Sequence, residues 1–352
     1  MYQSIEGVSI EAVACSVPKN RVGNDYFKYF MSDREIKKFE KLTGIKSRRF
    51  VASTSTASDL AYEAALKIIT DKKCKDEIKA LIFLSQTSDY KIPFTSNILQ
   101  DKLGLPTETL CLDINAGCAG FVQGLSVAYS LQSTLSEGKV LLIVAETLSK
   151  ILAKRDKSTS MLFGDAASAV LLGRTTQVKS TAFFNFNSDG SHFEAISISD
   201  GGYRNPVNAN SFVESVDING NCRNNTHLSM DGSAVFDFTL REIVPSLNAF
   251  ISNYSLDLNR IDYFLFHQSN KFIISQLTKG LNIPVEKVPV NIQEYANTSG
   301  VSIPLLMVTE KTLYDLNTPK TFALVGYGSG LNWASCILRL NEAVTIYDLI
   351  EV

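Results

Sequence analysis

The stretch from Asp113 to Leu125, DINAGCAGFVQGL, decides how the rest of the chain is read. A short apolar run ends in Asn-Ala-Gly, Cys118 follows, and AGFVQGLSVAYSLQ then carries apolar residues at helical spacing. That order predicts a strand, a tight turn and a buried helix, with Cys118 at the turn. Ala116, Gly117, Ala119 and Gly120 are small enough for backbone to approach backbone at a sharp bend. Unpaired N–H groups and the dipole at a helix N-terminus favour the thiolate, the nucleophilic form of the sulfur. Cys118 is therefore a candidate nucleophile. The competing reading is a buried core cysteine, since free Cys is among the most buried residue types.

On the N-terminal side, VSIEAVACSV reads as a strand stopped by Pro18, and SDREIKKFEKL as a charged helix running into Thr43-Gly44-Ile45. SDLAYEAALKIIT is a helix, ALIFLSQTS a strand, TSNILQDKLGL a helix and TLCLDINA the strand leading to Cys118. Beyond it, VLLIVAET is a strand, and MLFGDAASAVLLG a turn flanked by strand-like runs. The second half repeats this order. DFTLREIVPSLNAFISNYSL reads as a helix, IDYFLFHQ as a strand and NKFIISQLTKGLNIP as a helix. VPVNIQEYANTSG reads as a strand and turn, VSIPLLMVTEKTLYDL as a helix, and TFALVGYGSGLNWASCILRL as two strands around a Gly-rich turn. ALIFLSQT matches DYFLFHQS, ILQDKLGLP matches ISQLTKGLNIP, and DINAGCAGF matches IQEYANTSG. Two similar α/β halves follow, with mixed sheets covered by helices. Between them, roughly from Phe183 to Thr226, turn chemistry dominates, as in a surface excursion near a site.

With 352 residues of near-average composition, the chain can bury one large core or two moderate ones. Its 34 basic and 36 acidic residues give no bulk charge to draw it to nucleic acid or an anionic membrane. No run of eighteen apolar residues occurs, and MYQSIEGVSIEAV lacks a basic segment followed by an apolar one, so a cytoplasmic location is expected. The six cysteines (15, 74, 111, 118, 222 and 336) show no CxxC or Cys/His ligand spacing. That argues against structural zinc and a disulfide framework, and reduced thiols fit a cytoplasmic enzyme.

The duplication places Asn297 where the first half has Cys118, and His267 at the end of the strand matching LIFLSQT. If an approximate twofold relates the halves, the three residues converge at the strand ends between them. His267 can act as base or hydrogen-bond donor, and Asn297 supplies a neutral NH₂. His192 and His227 fall in or beside the turn-rich region. GYGSGLN, read alone as a simple hairpin, could also bring backbone N–H groups to the strand end as part of an oxyanion hole with the N–H of Cys118.

These motifs carry a resemblance that runs nearly end to end: MYQSIEGVSIEAVACSVP, LTGI, DINAGCAGFVQGL, FGDAASAV, SDGS, HLSMDG, FHQSN, YANTSG and GYGSGLNWASCILRL. In that order they resemble the β-ketoacyl-acyl carrier protein synthase III family of thiolase-like condensing enzymes. The resemblance implies a duplicated five-layer αβαβα fold of α/β class with two mixed sheets, divided into halves 1–176 and 177–352. It also implies a homodimer and a triad of Cys118, His267 and Asn297, with an oxyanion hole from the N–H groups of Cys118 and Ser329. An acyl-thioester would charge Cys118, and decarboxylation of a malonyl-thioester would then give an enolate held by His267 and Asn297. That carbanion would attack the acyl group, with no metal or tightly bound cofactor. The substrates would be coenzyme A or phosphopantetheine thioesters, and the partners acyl-CoA or acyl-carrier protein and malonyl-carrier protein.

By the same matching, Gly232, Phe236 and Asn270 keep their family types along the pantetheine tunnel, Lys157 stands where an arginine meets the nucleotide, and Lys279 keeps a charge for carrier docking. The family arginine before Thr-Gly-Ile is Leu42 here, its adenine-stacking tryptophan is Lys38, and a basic docking position is Phe272. Ile92 stands where a phenylalanine often closes the acyl pocket across the dimer, and NEAVTIYDLIEV extends past the usual end. These departures suggest a specialised pathway with an altered donor. The rival within the fold is an acyltransferase passing the acyl group from Cys118 to an amine or hydroxyl without decarboxylation. Degradative thiolase is disfavoured because the place of its second cysteine is Tyr327. A papain-like hydrolase shares the order Cys, His, Asn but lacks that class's C-G-S-C-W context, and a scaffold without activity would not be expected to keep all three residues.

Overall fold

The computed structural model describes residues 1–176 and 180–352. The division expected at 176/177 therefore lies at the edge of a segment outside the described residues. Among the described residues, twelve strands form the two main sheets. They are β1 (Tyr2–Ile5), β2 (Val8–Val17), β3 (Ile78–Leu84), β4 (Leu110–Ile114), β5 (Lys139–Glu146) and β6 (Ala166–Arg174), then β7 (Ala182–Ser188), β8 (Tyr263–Phe266), β9 (Lys320–Gly328), β10 (Asn332–Leu340), β11 (Thr345–Ile346) and β12 (Ile350–Glu351). The helices are α1 (Asp33–Thr43), α2 (Ala57–Lys72), α3 (Thr95–Lys102), α4 (Gly120–Thr134), α5 (Gly232–Asn253), α6 (Lys271–Gly280), α7 (Ile292–Tyr295) and α8 (Ser302–Thr309).

The first sheet runs β11-β2-β6-β5-β3-β4, with β12 also paired to β2, and the second runs β1-β7-β10-β9-β8. Superposing chain order on these lists recovers the duplication. β2, β6, β5 and β3 correspond to β7, β10, β9 and β8, and each corresponding pair of neighbours has the same sense: antiparallel, antiparallel, parallel. Each terminus crosses to the other half. β1 lies antiparallel to β7, whereas β11 and β12 lie parallel to β2, so the C-terminal extension covers an edge that would otherwise expose unpaired backbone.

Five layers follow from three apolar clusters. α2 and α3 cover the outer face of the first sheet through Leu60, Ala64, Ile68 and Leu99. α4 and α8 are sandwiched between the sheets, where Phe121, Leu125, Leu305 and Leu306 meet Leu142 and Leu324. α5 and α6 cover the outer face of the second sheet through Leu247, Phe250, Ile274 and Leu277. α8 is apolar nearly all round, the pattern of a helix with no solvent face, whereas α4 buries its Phe121, Val122, Leu125, Ala128 and Tyr129 side and leaves Val127 exposed. Local chemistry sets the helix ends. Ser32 and Glu35 form a reciprocal capping box on α1, Gly44 ends it at φ +78°, and Thr56 with Asp59 caps α2.

Two expectations are corrected. The segment before YANTSG forms no strand; the short helix α7 occupies it, so the second sheet has no counterpart of β4. The run Met161–Phe163 is not a strand either, and only Phe163 makes a parallel bridge, to Asn297. An apolar run over so short a span does not distinguish a strand from a buried turn.

The sandwiched layer also explains the glycines. A methyl group on Gly328 would stand 2.7 Å from Cys118 Cβ and 3.0 Å from its Sγ, and one on Gly326 would stand 2.9 Å from Ala119 Cα. Gly328→Ala is expected to displace Cys118 and to cost about 1–3 kcal/mol through overpacking. Thermal unfolding together with the rate of Cys118 alkylation measures both effects, and wild-type values for both would contradict the packing argument.

Candidate active site

Cys118 sits in the turn after β4, two residues before α4, and is only 8% exposed. His267 follows β8 directly, and its N–H donates to the Val325 carbonyl of β9 at 2.8 Å, which fixes the residue at the sheet's end. Asn297 is pinned through its own peptide: its N–H donates to Leu162 O at 2.9 Å, and its carbonyl accepts from Gly164 N at 3.0 Å. Its Oδ1 accepts from the Ser299 N–H at 2.8 Å, which leaves the NH₂ as the end available to a ligand. The wall that holds Asn297 is braced by Arg48, which is fully buried, donates to Met161 O at 2.6 Å and packs over the Phe27 ring.

All three residues line one cavity of about 900 Å³ together with Ser329, Gln86 and Ser299. Cys118 Sγ lies 3.6 Å from Ser299 Oγ. His267 Nδ1 lies 2.7 Å from Ser302 Oγ at the start of α8, and the ring meets Tyr327 edge-on at 5.3 Å between centroids. Gln86 joins the two sides: its Nε2 donates to Ser329 Oγ at 3.1 Å, and its Oε1 accepts from Ser299 Oγ at 3.4 Å. The Gln86 N–H in turn points at the buried carboxyl of Glu146, which also accepts from Thr87 Oγ1 at 2.9 Å.

Burial dominates the electrostatics. It pushes the Cys118 thiol up to about 12; the Ser299 hydroxyl works the other way, and the Glu146 charge adds to the rise. Burial also takes His267 down to about 3, against a smaller opposing effect of the Ser299 backbone. The resting pair is thus a neutral thiol and a neutral imidazole. This corrects the expectation of a thiolate at the helix N-terminus, because the dipole is outweighed by loss of solvent around the sulfur. Glu146 is raised by burial to about 8.

The other expected site residues divide. Lys157, Gly232, Phe236 and Asn270 line the same cavity. Ile92 is 80% exposed and outside it, and Lys279 is exposed on the last turn of α6. Gln86, Ser299, Ser302 and Glu146 were missed. The serines two and five residues beyond Asn297 are the one local signal that could have revealed them, whereas nothing in sequence links Gln86 or Glu146 to the sulfur. Among the described residues, no group of three or more His, Cys, Asp or Glu side chains gathers to hold a metal, and no helix is long and apolar enough to cross a membrane.

Comparison with known proteins identifies the family. Residues 112–190 match the family model for 3-oxoacyl-[acyl-carrier-protein] synthase III, and residues 251–340 match its C-terminal model. The β-ketoacyl-[acyl-carrier-protein] synthase III of Streptococcus mutans is 34% identical over 334 residues, covering 94% of this chain and 98% of the relative. That of Acholeplasma laidlawii is 33% identical, with 95% and 98% covered. The crystal structure of the 3-oxoacyl-(acyl-carrier protein) synthase of Burkholderia xenovorans LB400 superposes with a TM-score of 0.92 at 35% identity, over 100% of this chain and 99% of that one. The Pseudomonas aeruginosa PAO1 synthase III superposes at 0.79 with 26% identity, over 96% and 99%. The fold is that of the thiolase-like condensing enzymes, which are acyltransferases. Within that class, the chain belongs to the β-ketoacyl-[acyl-carrier-protein] synthase III family.

Two outcomes follow from the electrostatics. Alkylation of Cys118 by iodoacetamide should climb about tenfold per pH unit from pH 7 to 10, as expected for a thiol titrating above that range; a plateau below pH 8 would reveal a thiolate instead. Glu146 holds a proton in the folded state that the unfolded chain releases, so stability falls as pH rises from its ordinary 4.5 through about 8. Glu146→Gln should remove this dependence, and its melting temperature relative to wild type should be higher at pH 8 than at pH 5.

Proposed function

We propose that Cys118 takes an acyl group from a thioester, and that the acyl group is then condensed with a malonyl-thioester at the same site. The observation that carries this reading is the convergence of a buried thiol, a neutral imidazole and a carboxamide NH₂ on one cavity. In the first half, the Cys118 proton passes to His267 Nε2 as sulfur attacks the thioester carbonyl. The N–H groups of Cys118 and Ser329 stabilise the oxyanion, an effect of roughly 3–4 kcal/mol per donor at such sites. Collapse breaks the C–S bond, and the leaving thiol takes the proton back.

In the second half, the malonyl C–C bond breaks, CO₂ leaves and its electron pair forms an enolate. His267 Nε2–H and Asn297 Nδ2–H donate to the enolate oxygen. The enolate carbon attacks the acyl-Cys118 carbonyl, the new C–C bond forms and Cys118 leaves as thiolate, to be reprotonated. His267 accepts a proton in one half and donates a hydrogen bond in the other. The Ser302 hydroxyl at Nδ1 suits both states, because it can accept from a protonated nitrogen or donate to a bare one.

Around this chemistry, the Gly232, Phe236 and Asn270 positions hold the thioester's pantetheine arm, Lys157 stands at the position toward a nucleotide, and Lys279 meets an acidic carrier protein. The halves 1–176 and 177–352 are the repeated units, and the molecule works in the cytoplasm as a homodimer. Support for the dimer comes from the edge strand β4, where Leu110 is half exposed, and from the exposed Tyr90, Ile92 and Phe94 in the segment between β3 and α3. Ile92 of one protomer would close the acyl pocket of the other, and the departures from the family pattern favour a specialised pathway over fatty-acid initiation.

The test is intact-protein mass after incubation with a panel of acyl-thioesters, followed by malonyl-carrier protein. Wild type should gain the acyl mass and lose it with CO₂ release, and Cys118→Ala should gain none. Asn297→Ala should still charge, with decarboxylative discharge slowed about 10²–10³-fold, the size of one lost donor to a developing oxyanion. Charging without CO₂ release in the wild type would instead mark an acyltransferase acting on an amine or hydroxyl. Robust rescue of a strain lacking the housekeeping synthase III would overturn the specialised pathway.

A further inference from the structure

The charges along the catalytic cavity are few, and its one lysine is already paired. Lys157 and Asp237 are the only charged side chains among the lining residues described. Lys157 Nζ is held by Glu35 Oε1 at 2.7 Å, and this ion pair, with the Ser32 cap, draws the Glu35 carboxyl down to about 2. The helix ends that face the cavity are occupied as well. Gly232 and Ser233 of α5 line it, but the Asp231 carboxylate accepts from Ser233 N and Ala234 N at 3.0 Å each. Asn270 Oδ1 fills the same role on α6, accepting from Ile273 N at 2.8 Å. A helix N-terminus capped by the protein's own carboxylate offers no place for a phosphate.

The exposed part of the lining mixes apolar side chains with Ser233 and the acidic Asp237. Leu42 (53% exposed) and Phe272 (41%) belong both to the cavity wall and to the surface, and Phe272 stacks on Phe236 at 5.7 Å. A pantetheine arm, with amides and methyl groups, suits such a passage. The nucleotide of coenzyme A does not. Its diphosphate and 3′-phosphate need cations or open backbone donors, and recognition of such groups rests on Arg, Lys and helix N-termini. Lys38 on α1 and Lys271 and Lys279 on α6 are exposed and are not among the lining residues, as a contact for an acidic protein surface would be.

We infer that the acyl donor is a phosphopantetheine thioester carried on an acidic carrier protein, and that the coenzyme A nucleotide contributes nothing to its recognition. This rests on the condensing reading above and assigns the donor's carrier. Both steps then use the same kind of partner, which enters twice by one mouth.

The experiment compares one acyl group on four carriers: coenzyme A, 3′-dephospho-coenzyme A, pantetheine and acyl-carrier protein. The acyl group is whichever the panel shows to charge Cys118, and the readout is kcat/KM for charging, followed by mass. The three small thioesters should agree within about threefold, since a single lost charge-assisted contact would exceed that. Acyl-carrier protein should surpass them all. Leu42→Arg should raise the ratio of acyl-CoA to acyl-pantetheine about tenfold, the effect of one new charge-assisted hydrogen bond to phosphate. Wild-type preference for acyl-CoA over acyl-pantetheine by tenfold or more overturns the inference, as does an acyl-carrier protein no better than acyl-pantetheine. If none of the four charges Cys118 with any acyl group, the condensing reading falls and this one with it.

Discussion

The turn that bears Cys118 and the hairpin joining β9 to β10 touch backbone to backbone. Side chains are excluded between them: methyl groups at Gly326 and Gly328 would strike Ala119 and Cys118 themselves. This contact joins the two halves at their strand ends. It brings the sulfur from the first half and the Ser329 backbone from the second into one site. It also draws α4 into the middle layer, where Phe121, Val122, Leu125, Ala128 and Tyr129 join the core between the sheets. The sandwich, the cavity and the burial of the thiol all depend on that approach, and it is possible only because glycine stands where the two chains meet.

Burial at this depth changes the chemistry available. A thiol near 12 and an imidazole near 3 form a neutral pair, so charge appears only when a substrate carbonyl or carboxylate arrives to develop it. The groups positioned around the pair are neutral donors and acceptors: Asn297, Ser299, Ser302 and Gln86. Such groups stabilise an enolate or a tetrahedral oxyanion without having to reorganise, and their effect is strongest where water is excluded. The cost is borne by Glu146, a carboxyl held behind Gln86 in surroundings that favour its proton.

Duplication provides the frame but not a symmetric site. Four strands of each half keep the same order and sense, yet the fifth survives only as β4, and α7 stands in its place in the second half. Cys118 and Asn297 occupy corresponding turns, one nucleophile and one donor. The termini are exchanged between sheets, so neither sheet is completed by its own half alone. This interleaving fits one cooperative unit better than two separable domains.

Sequence alone determined the alternation of strands and helices, the repeat, and the three residues that converge. Each of these is written in local periodicity or in the matches of ALIFLSQT with DYFLFHQS and of DINAGCAGF with IQEYANTSG. It erred where the decisive term was nonlocal. The strand expected before YANTSG became α7, since so short an apolar run has no fixed preference until its neighbours are in place. The thiolate expected from the helix dipole became a thiol, since desolvation depends on how many atoms from both halves surround the sulfur. Gln86, 32 positions before Cys118 in sequence, and Ser302 reach the reacting groups only through the packing of β3 and α8. Periodicity is a property of adjacent residues, whereas burial, proton affinity and the pairing of Lys157 with Glu35 are properties of residues brought together from far apart in the chain, and only the tertiary structure could decide them.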